Sequence, residues 1–101
     1  MTSNTKLSPD QKAILREMLN DACLNRIQVV NLDDVTTMAY QDNGQTVKFS
    51  LAVMAEDEKK FRAKVGQYHA LTRFLHCDQY VTMNRTDFAV MCDYVWDFHP
   101  F

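Results

Sequence analysis

The first apolar pattern in the chain runs from Ser8 to about Leu24. Apolar side chains recur there every three or four residues, with charged and amide side chains between them, which is typical of an amphipathic α-helix. Ser8 precedes a proline at the first helical position, and Gln11 follows three residues later, as in a capping box. We predict a polar tail over residues 1–7 and a single domain over residues 8–101, which begins with a helix over 9–24.

Alternation of apolar and polar residues replaces this pattern between residues 27 and 51. Asn43-Gly44 lies within the alternating segment, and this dipeptide favours a two-residue type I′ turn. Folding about that turn pairs Tyr40 with Val47 and Met38 with Phe49, so that one face of the hairpin is apolar. The residues left on the solvated face are Thr46, Lys48 and Ser50.

A third strand is predicted before the hairpin. Ile27 and Val29 continue the alternation, and a reversal at Asp33-Asp34 sets Val29 beside Met38. The three strands then form an antiparallel meander with one face toward water.

Two further helical patterns follow. The first covers residues 55–76 and begins with acidic residues, where the helix dipole favours them. The second follows Asn84 or Thr86, either of which suits an N-cap, and reaches about Asp97. Residues 77–83 fit a loop or a short strand. The order α-β-β-β-α-α predicts an α+β fold, a single small domain in which a three-stranded meander packs against helices.

The amino-acid composition argues against several classes of function. The formal net charge of the 101 residues is -2, so no overall charge attracts the chain to nucleic acid or anionic lipid. The two glycines are too few for a glycine-rich phosphate-binding loop. No segment resembles a signal peptide, and no apolar run reaches membrane-spanning length, so we expect a cytoplasmic protein.

Candidate catalytic and metal-binding groups are scattered along the chain. Cys23, Cys77 and Cys92 are an odd number without paired spacing, which favours free thiols over disulfides or zinc ligands. The serines suit structural roles and have no histidine and carboxylate nearby in sequence. We predict no catalytic, cofactor-binding or metal-binding residues, and a protein that is not an enzyme.

The most ordered polar feature lies on the long helix predicted over residues 55–76. Its members are spaced by three, four or seven residues and therefore share one face, which we call the basic stripe. The basic stripe consists of Lys59, Arg62, His69, Arg73 and His76. It fits an acidic partner protein, although an ordinary solvated helix face is the simpler interpretation.

The segment Phe88–Phe98 is apolar over most of its circumference and leaves only Asp93 and Asp97 for solvent. Such a helix requires cover on more than one side. We expect the sheet to cover Phe88, Met91, Val95 and Phe98. The aromatic side chains near the end of the chain then have more apolar surface than one sheet face can bury, and we call them the aromatic set. This excess favours a homodimer or a contact with another protein. Burial in the monomer core fits the sequence as well. The aromatic set consists of Tyr94, Trp96, Phe98 and Phe101.

These features favour a small protein-binding protein without enzymatic activity that self-associates. Small size, few glycines and an excess of aromatic residues are typical of compact inhibitors or modulators of host proteins encoded on phages and other mobile elements. The alternative is a nucleic-acid-associated regulator that contacts phosphates through basic side chains of the long helix. Those side chains are Lys59, Lys60, Arg62, Lys64 and Arg73.

Overall fold

A four-stranded antiparallel sheet carries helices on both of its faces. The computed structural model describes residues 6–54 and 62–101. The elements in chain order are α1 (Pro9–Leu24), β1 (Ile27–Asn31), β2 (Thr36–Asp42), β3 (Thr46–Val53), α2 (Ala63–Leu71), a π-helical turn (Thr72–His76), β4 (Val81–Asn84) and α3 (Arg85–Trp96). The strands lie in the sheet in the order β1-β2-β3-β4. The α+β class is confirmed, but the sheet has four strands instead of three, because residues 81–84 pair with β3.

Each face of the sheet has its own apolar core. Under α1 and α2 the sheet contributes small side chains such as Ala39 and Ala52. Under α3 it contributes Met38 and other large ones. The predicted solvated face is therefore wrong: Ser50 is 3% exposed, and its hydroxyl donates to a backbone carbonyl oxygen, that of Gln79, at 2.6 Å. The side chains on this face are small, which leaves room for helices to pack closely on the strands. Small side chains on a strand therefore did not indicate that the face is exposed to solvent.

The predicted hairpin forms, but its strands pair two residues away from the predicted register. Tyr40 lies opposite Phe49, and Met38 lies opposite Leu51. A shift of two residues keeps every side chain on the face predicted for it, because side chains alternate between faces with a period of two. The apolar face of the hairpin is thus confirmed although the individual pairs are wrong.

The position of the turn explains this shift. The Asn43 N–H donates to the Thr46 carbonyl oxygen at 2.9 Å, so the two loop residues are Gly44 and Gln45. Gly44 has a φ of +93°, whereas Gln45 does not have a positive φ. Glycine at the first central position with positive φ is the arrangement of a type II′ turn instead of the predicted type I′ turn.

Strand β1 pairs one residue away from the predicted register, which exchanges its two faces. Val29 lies opposite Ala39, so Ile27 and Val29 face the core under α1 and α2. The Asp33 carboxylate accepts from the N–H groups two and three residues later, at 2.8 and 2.7 Å, and holds a three-residue loop. An odd number of loop residues, where a two-residue reversal was predicted, produces the one-residue slip.

The predicted starts of α1 and α3 are confirmed. The Ser8 hydroxyl accepts from the Gln11 N–H at 3.1 Å, while the Gln11 side chain accepts from the Ser8 N–H at 2.9 Å. The Asn84 side chain accepts from the N–H groups of Thr86 and Asp87 at 2.9 and 3.3 Å. These capping contacts depend on residues close in sequence, which is why the sequence predicted them.

The long helix predicted over residues 55–76 is shorter and less regular in the part that the structure describes. Residues 55–61 lie outside that part, and α2 begins at Ala63. After Leu71 the chain widens into the π-helical turn, in which the Cys77 N–H donates to the Thr72 carbonyl oxygen at 3.1 Å, five residues back. The predicted end of the helical segment near His76 is confirmed, but residues 72–76 form a π-helical turn instead of regular α-helix.

Candidate interaction surface

Helix α3 presents apolar side chains to solvent on the side that faces away from the sheet. Phe88 and Cys92 are fully buried against the sheet, which fixes the opposite side of the helix as its outer side. There Val90 is 63% exposed and Tyr94 is 88% exposed. Residues four apart are neighbours on a helix surface, so these two side chains form one apolar ridge.

Three exposed carboxylates flank this ridge. Asp93 and Asp97 lie along one side of it, and Asp87 lies on the other side near the start of the helix. We call Val90, Tyr94 and these three aspartates the α3 outer face. A basic residue also belongs to α3, namely Arg85, but its guanidinium is engaged elsewhere.

Arg85 joins the start of α3 to the hairpin and to the end of the chain. Its Nε lies 3.0 Å from the Asp42 carboxylate, and its guanidinium lies 3.7 Å from the centroid of the Phe101 ring. The pKa of Asp42 is lowered, chiefly by the Gly44 N–H that it accepts at 2.8 Å and also by Arg85, while partial burial acts in the opposite direction. Arg85 therefore does not offset the carboxylates of the α3 outer face.

The chain reverses after α3 and brings a histidine back to the helix. Asp97 caps α3 with a left-handed backbone, at a φ of +51°. His99 Nε2 then lies 3.6 Å from Asp93 Oδ1 and 3.4 Å from Asp97 Oδ1, and all three side chains are exposed. These groups are of the types that bind metal ions, and a contact of the histidine with two carboxylates accounts for the same arrangement.

The structure divides the aromatic set between the core and the surface. Trp96 and Phe98 are half-buried against the core under α3, where the Phe98 ring lies 6.1 Å from that of Tyr40. Phe101 is partly exposed and contacts the Arg85 guanidinium. Of the four, Tyr94 alone lies on the outer side of α3.

Sequence reasoning misassigned one valine of α3 and overlooked another. Val95 was expected against the sheet but is 53% exposed. Val90 was not singled out, although its position four residues before Tyr94 was the available signal. The exposed apolar surface of α3 therefore consists of one aromatic residue and two valines.

Four of the five members of the basic stripe are described, since Lys59 lies outside the described residues. His69, Arg73 and His76 are exposed and Arg62 is half-buried. The Arg73 guanidinium donates to the Leu51 carbonyl oxygen, so it is held against its own sheet. The π-helical turn also begins between His69 and Arg73, so the stripe does not follow one regular helix face.

The cysteines and one shallow groove supply little chemistry. Cys92 is buried, and burial raises the pKa of its thiol to about 11, which keeps the thiol neutral near pH 7. Cys23 and Cys77 are exposed and unpaired with each other. A shallow groove between α1 and β1 has Arg26 as the charged member of its lining. The full lining is Leu19, Ala22, Cys23, Arg26, Ile27, Gln28, Val29 and Gln67.

Within residues 6–54 and 62–101, no helix combines the length and the apolar character that crossing a membrane requires. No protein-family model, curated protein or solved structure matches this chain.

Proposed function

We propose that the protein works by binding another protein through the α3 outer face. The observation that carries this proposal is the exposure of Tyr94, 88%, beside an exposed Val90 on a helix whose opposite side buries Phe88 and Cys92. Adjacent exposed apolar side chains with a polar rim are typical of contact sites between proteins. Tyrosine is also enriched among the residues that dominate binding energy.

In this proposal the protein has no catalytic activity of its own and acts as an inhibitor or modulator of the protein that it binds. The hydroxyl of Ser50 is buried in a hydrogen bond to a backbone carbonyl, and that of Ser8 caps α1. The Cys92 thiol is buried and neutral. These groups have structural roles, which leaves binding as the better-supported activity.

The experiment that tests this proposal compares capture of cellular proteins by three forms of the full chain. The forms are the wild type, Tyr94→Ala, and Leu24→Ala as a matched control, since Leu24 is also an exposed apolar side chain but lies at the end of α1. A partner bound by the wild type and the control should be reduced about tenfold with Tyr94→Ala, because truncating a central aromatic contact has an effect of that order. The same proteins bound equally by all three forms would contradict the proposal.

Self-association through the same face is the alternative to binding a different protein, and it has its own test. Trp96 and Phe98 pack within a single chain, so within the aromatic set Tyr94 and the 49% exposed Phe101 remain for a homodimer contact. Under this alternative, sedimentation velocity at tens of micromolar should detect a dimer that Tyr94→Ala dissociates. A wild-type chain that sediments as a monomer would contradict self-association but leave binding of a different protein untouched.

A further inference from the structure

We infer that the α3 outer face binds a cationic amphipathic helix, which carries apolar residues along one side and lysine or arginine on both flanks. The inference rests on the proposed function and adds the chemistry of the partner. Its basis is the combination of a narrow apolar ridge with carboxylates on both sides.

The shape of the ridge favours a rod-like partner. Val90 and Tyr94 are one helical turn apart, so the ridge follows the axis of α3 and is about one side chain wide. A second helix packs at an interaxial distance of about 8–10 Å, which brings the flanking side chains of both helices within reach of each other. This is how flanking charges select partners in coiled coils.

The charges around the ridge select the sign of the charge on the partner. Asp87, Asp93 and Asp97 are exposed, and the nearby cation, Arg85, is bound to Asp42. Among the described residues, His99 also lies beside this rim, between Asp93 and Asp97. Lysine or arginine on the flanks of a partner would pair with the carboxylates, whereas acidic flanks would be repelled.

The same charges argue against a second copy of this chain as the occupant. A symmetric pair of α3 helices presents the same surface from both sides. Asp87 of one chain would then approach Asp93 or Asp97 of the other, and like charges at an interface are unfavourable.

The test uses two synthetic helical peptides and the full chain. Both peptides carry leucine at helical spacing along one side; one carries lysine on its flanks and the other carries glutamate at the same positions. Fluorescence anisotropy at low salt should show the lysine peptide binding at least about tenfold more tightly than the glutamate peptide. The ratio should shrink as salt is raised, because salt screens exposed charges.

Variants of the chain assign this binding to the α3 outer face. Tyr94→Ala should weaken binding of the lysine peptide by about tenfold. The double variant Asp93→Asn with Asp97→Asn should weaken binding of the same peptide by about threefold or more. The matched control is Asp21→Asn with Asp34→Asn, which removes two exposed carboxylates elsewhere in the chain and should change affinity little.

Each contrary result has a distinct meaning. Equal binding of both peptides, each dependent on Tyr94, would overturn the cationic partner and leave the proposed apolar contact in place. If both double variants lost the same affinity for the lysine peptide, its attraction to the chain would come from net charge alone, and the inference would be overturned. No binding of either peptide, or a dimer that Tyr94→Ala dissociates, would also overturn it, while the capture experiment decides the proposed function independently.

Discussion

Replacing Phe88 by alanine tests whether α3 belongs to the core of the protein. Phe88 is fully buried, and its ring centroid lies 5.3 Å from that of Phe49 and 5.6 Å from that of Tyr40. Truncating a buried phenylalanine to alanine costs about 3–5 kcal/mol of unfolding free energy. Contact with these two rings and with that of Phe101, at 6.1 Å, places this variant toward the upper end, at about 4–5 kcal/mol.

A domain of this length has an unfolding free energy of about 5–15 kcal/mol, so the alanine variant should be close to the limit of stable folding. Urea unfolding followed by circular dichroism and by the fluorescence of Trp96 measures the loss, because Trp96 packs against the same core. The control is Val90→Ala on the exposed side of the same helix, with an expected change within about 0.5 kcal/mol. If Phe88→Ala fails to fold, Phe88→Leu should still fold with a loss of about 1–1.5 kcal/mol.

A loss below about 1 kcal/mol for Phe88→Ala would refute this reasoning, since no fully buried phenylalanine at the centre of a core is so dispensable. Equal losses for Phe88→Ala and Val90→Ala would do the same. Either result would mean that the assignment of buried and outer sides of α3 is wrong.

Three further predictions concern the hairpin turn, one carboxylate and the thiols. Gly44→Ala should destabilise the protein by about 1–2 kcal/mol in urea unfolding, because a φ of +93° strains alanine even though its Cβ would meet no neighbour; an unchanged stability would contradict the assigned turn. The lowered pKa of Asp42 means that its carboxylate stabilises the fold above the ordinary value of 3.8 and stops doing so as the pH falls below it. Asp42→Asn should therefore destabilise the protein at pH 7 and progressively less in acid. An equal loss of unfolding free energy at pH 7 and in acid would contradict this. Ellman's reagent at pH 8 should rapidly titrate Cys23 and Cys77 in the native protein and Cys92 only in denaturant, because burial raises the pKa of Cys92 to about 11; three rapid native thiols would be inconsistent with that burial.

Local signals in the sequence predicted the starts of α1 and α3, whereas the position of the hairpin turn depends on distant contacts. Asn43-Gly44 and Gly44-Gln45 both place a glycine in the loop, so turn chemistry alone does not choose between them. In the structure the Arg85 N–H donates to the Gln45 carbonyl oxygen at 2.9 Å, and the Arg85 side chain binds Asp42. These contacts hold the observed turn and join residues 40 or more positions apart.

The candidate site was only partly predictable for a related reason. Apolar residues that complete a core and apolar residues that meet a partner have the same composition, so the sequence grouped Trp96 and Phe98 with Tyr94. Which of them is exposed depends on the reversal of the chain at Asp97 and on the packing of Phe98 against Tyr40. The sequence therefore identified Tyr94 but not its separation from the other aromatic residues.

The most direct test of the α3 outer face as a protein-binding surface is photo-crosslinking in the native host. Tyr94, or Leu24 in a matched control, is replaced by p-benzoyl-phenylalanine, because both positions are well exposed and lie on different helices. We predict that irradiation links position 94 to a discrete second protein and that position 24 gives no such product. Absence of a product at position 94, or identical products at both positions, would contradict a binding role for this face.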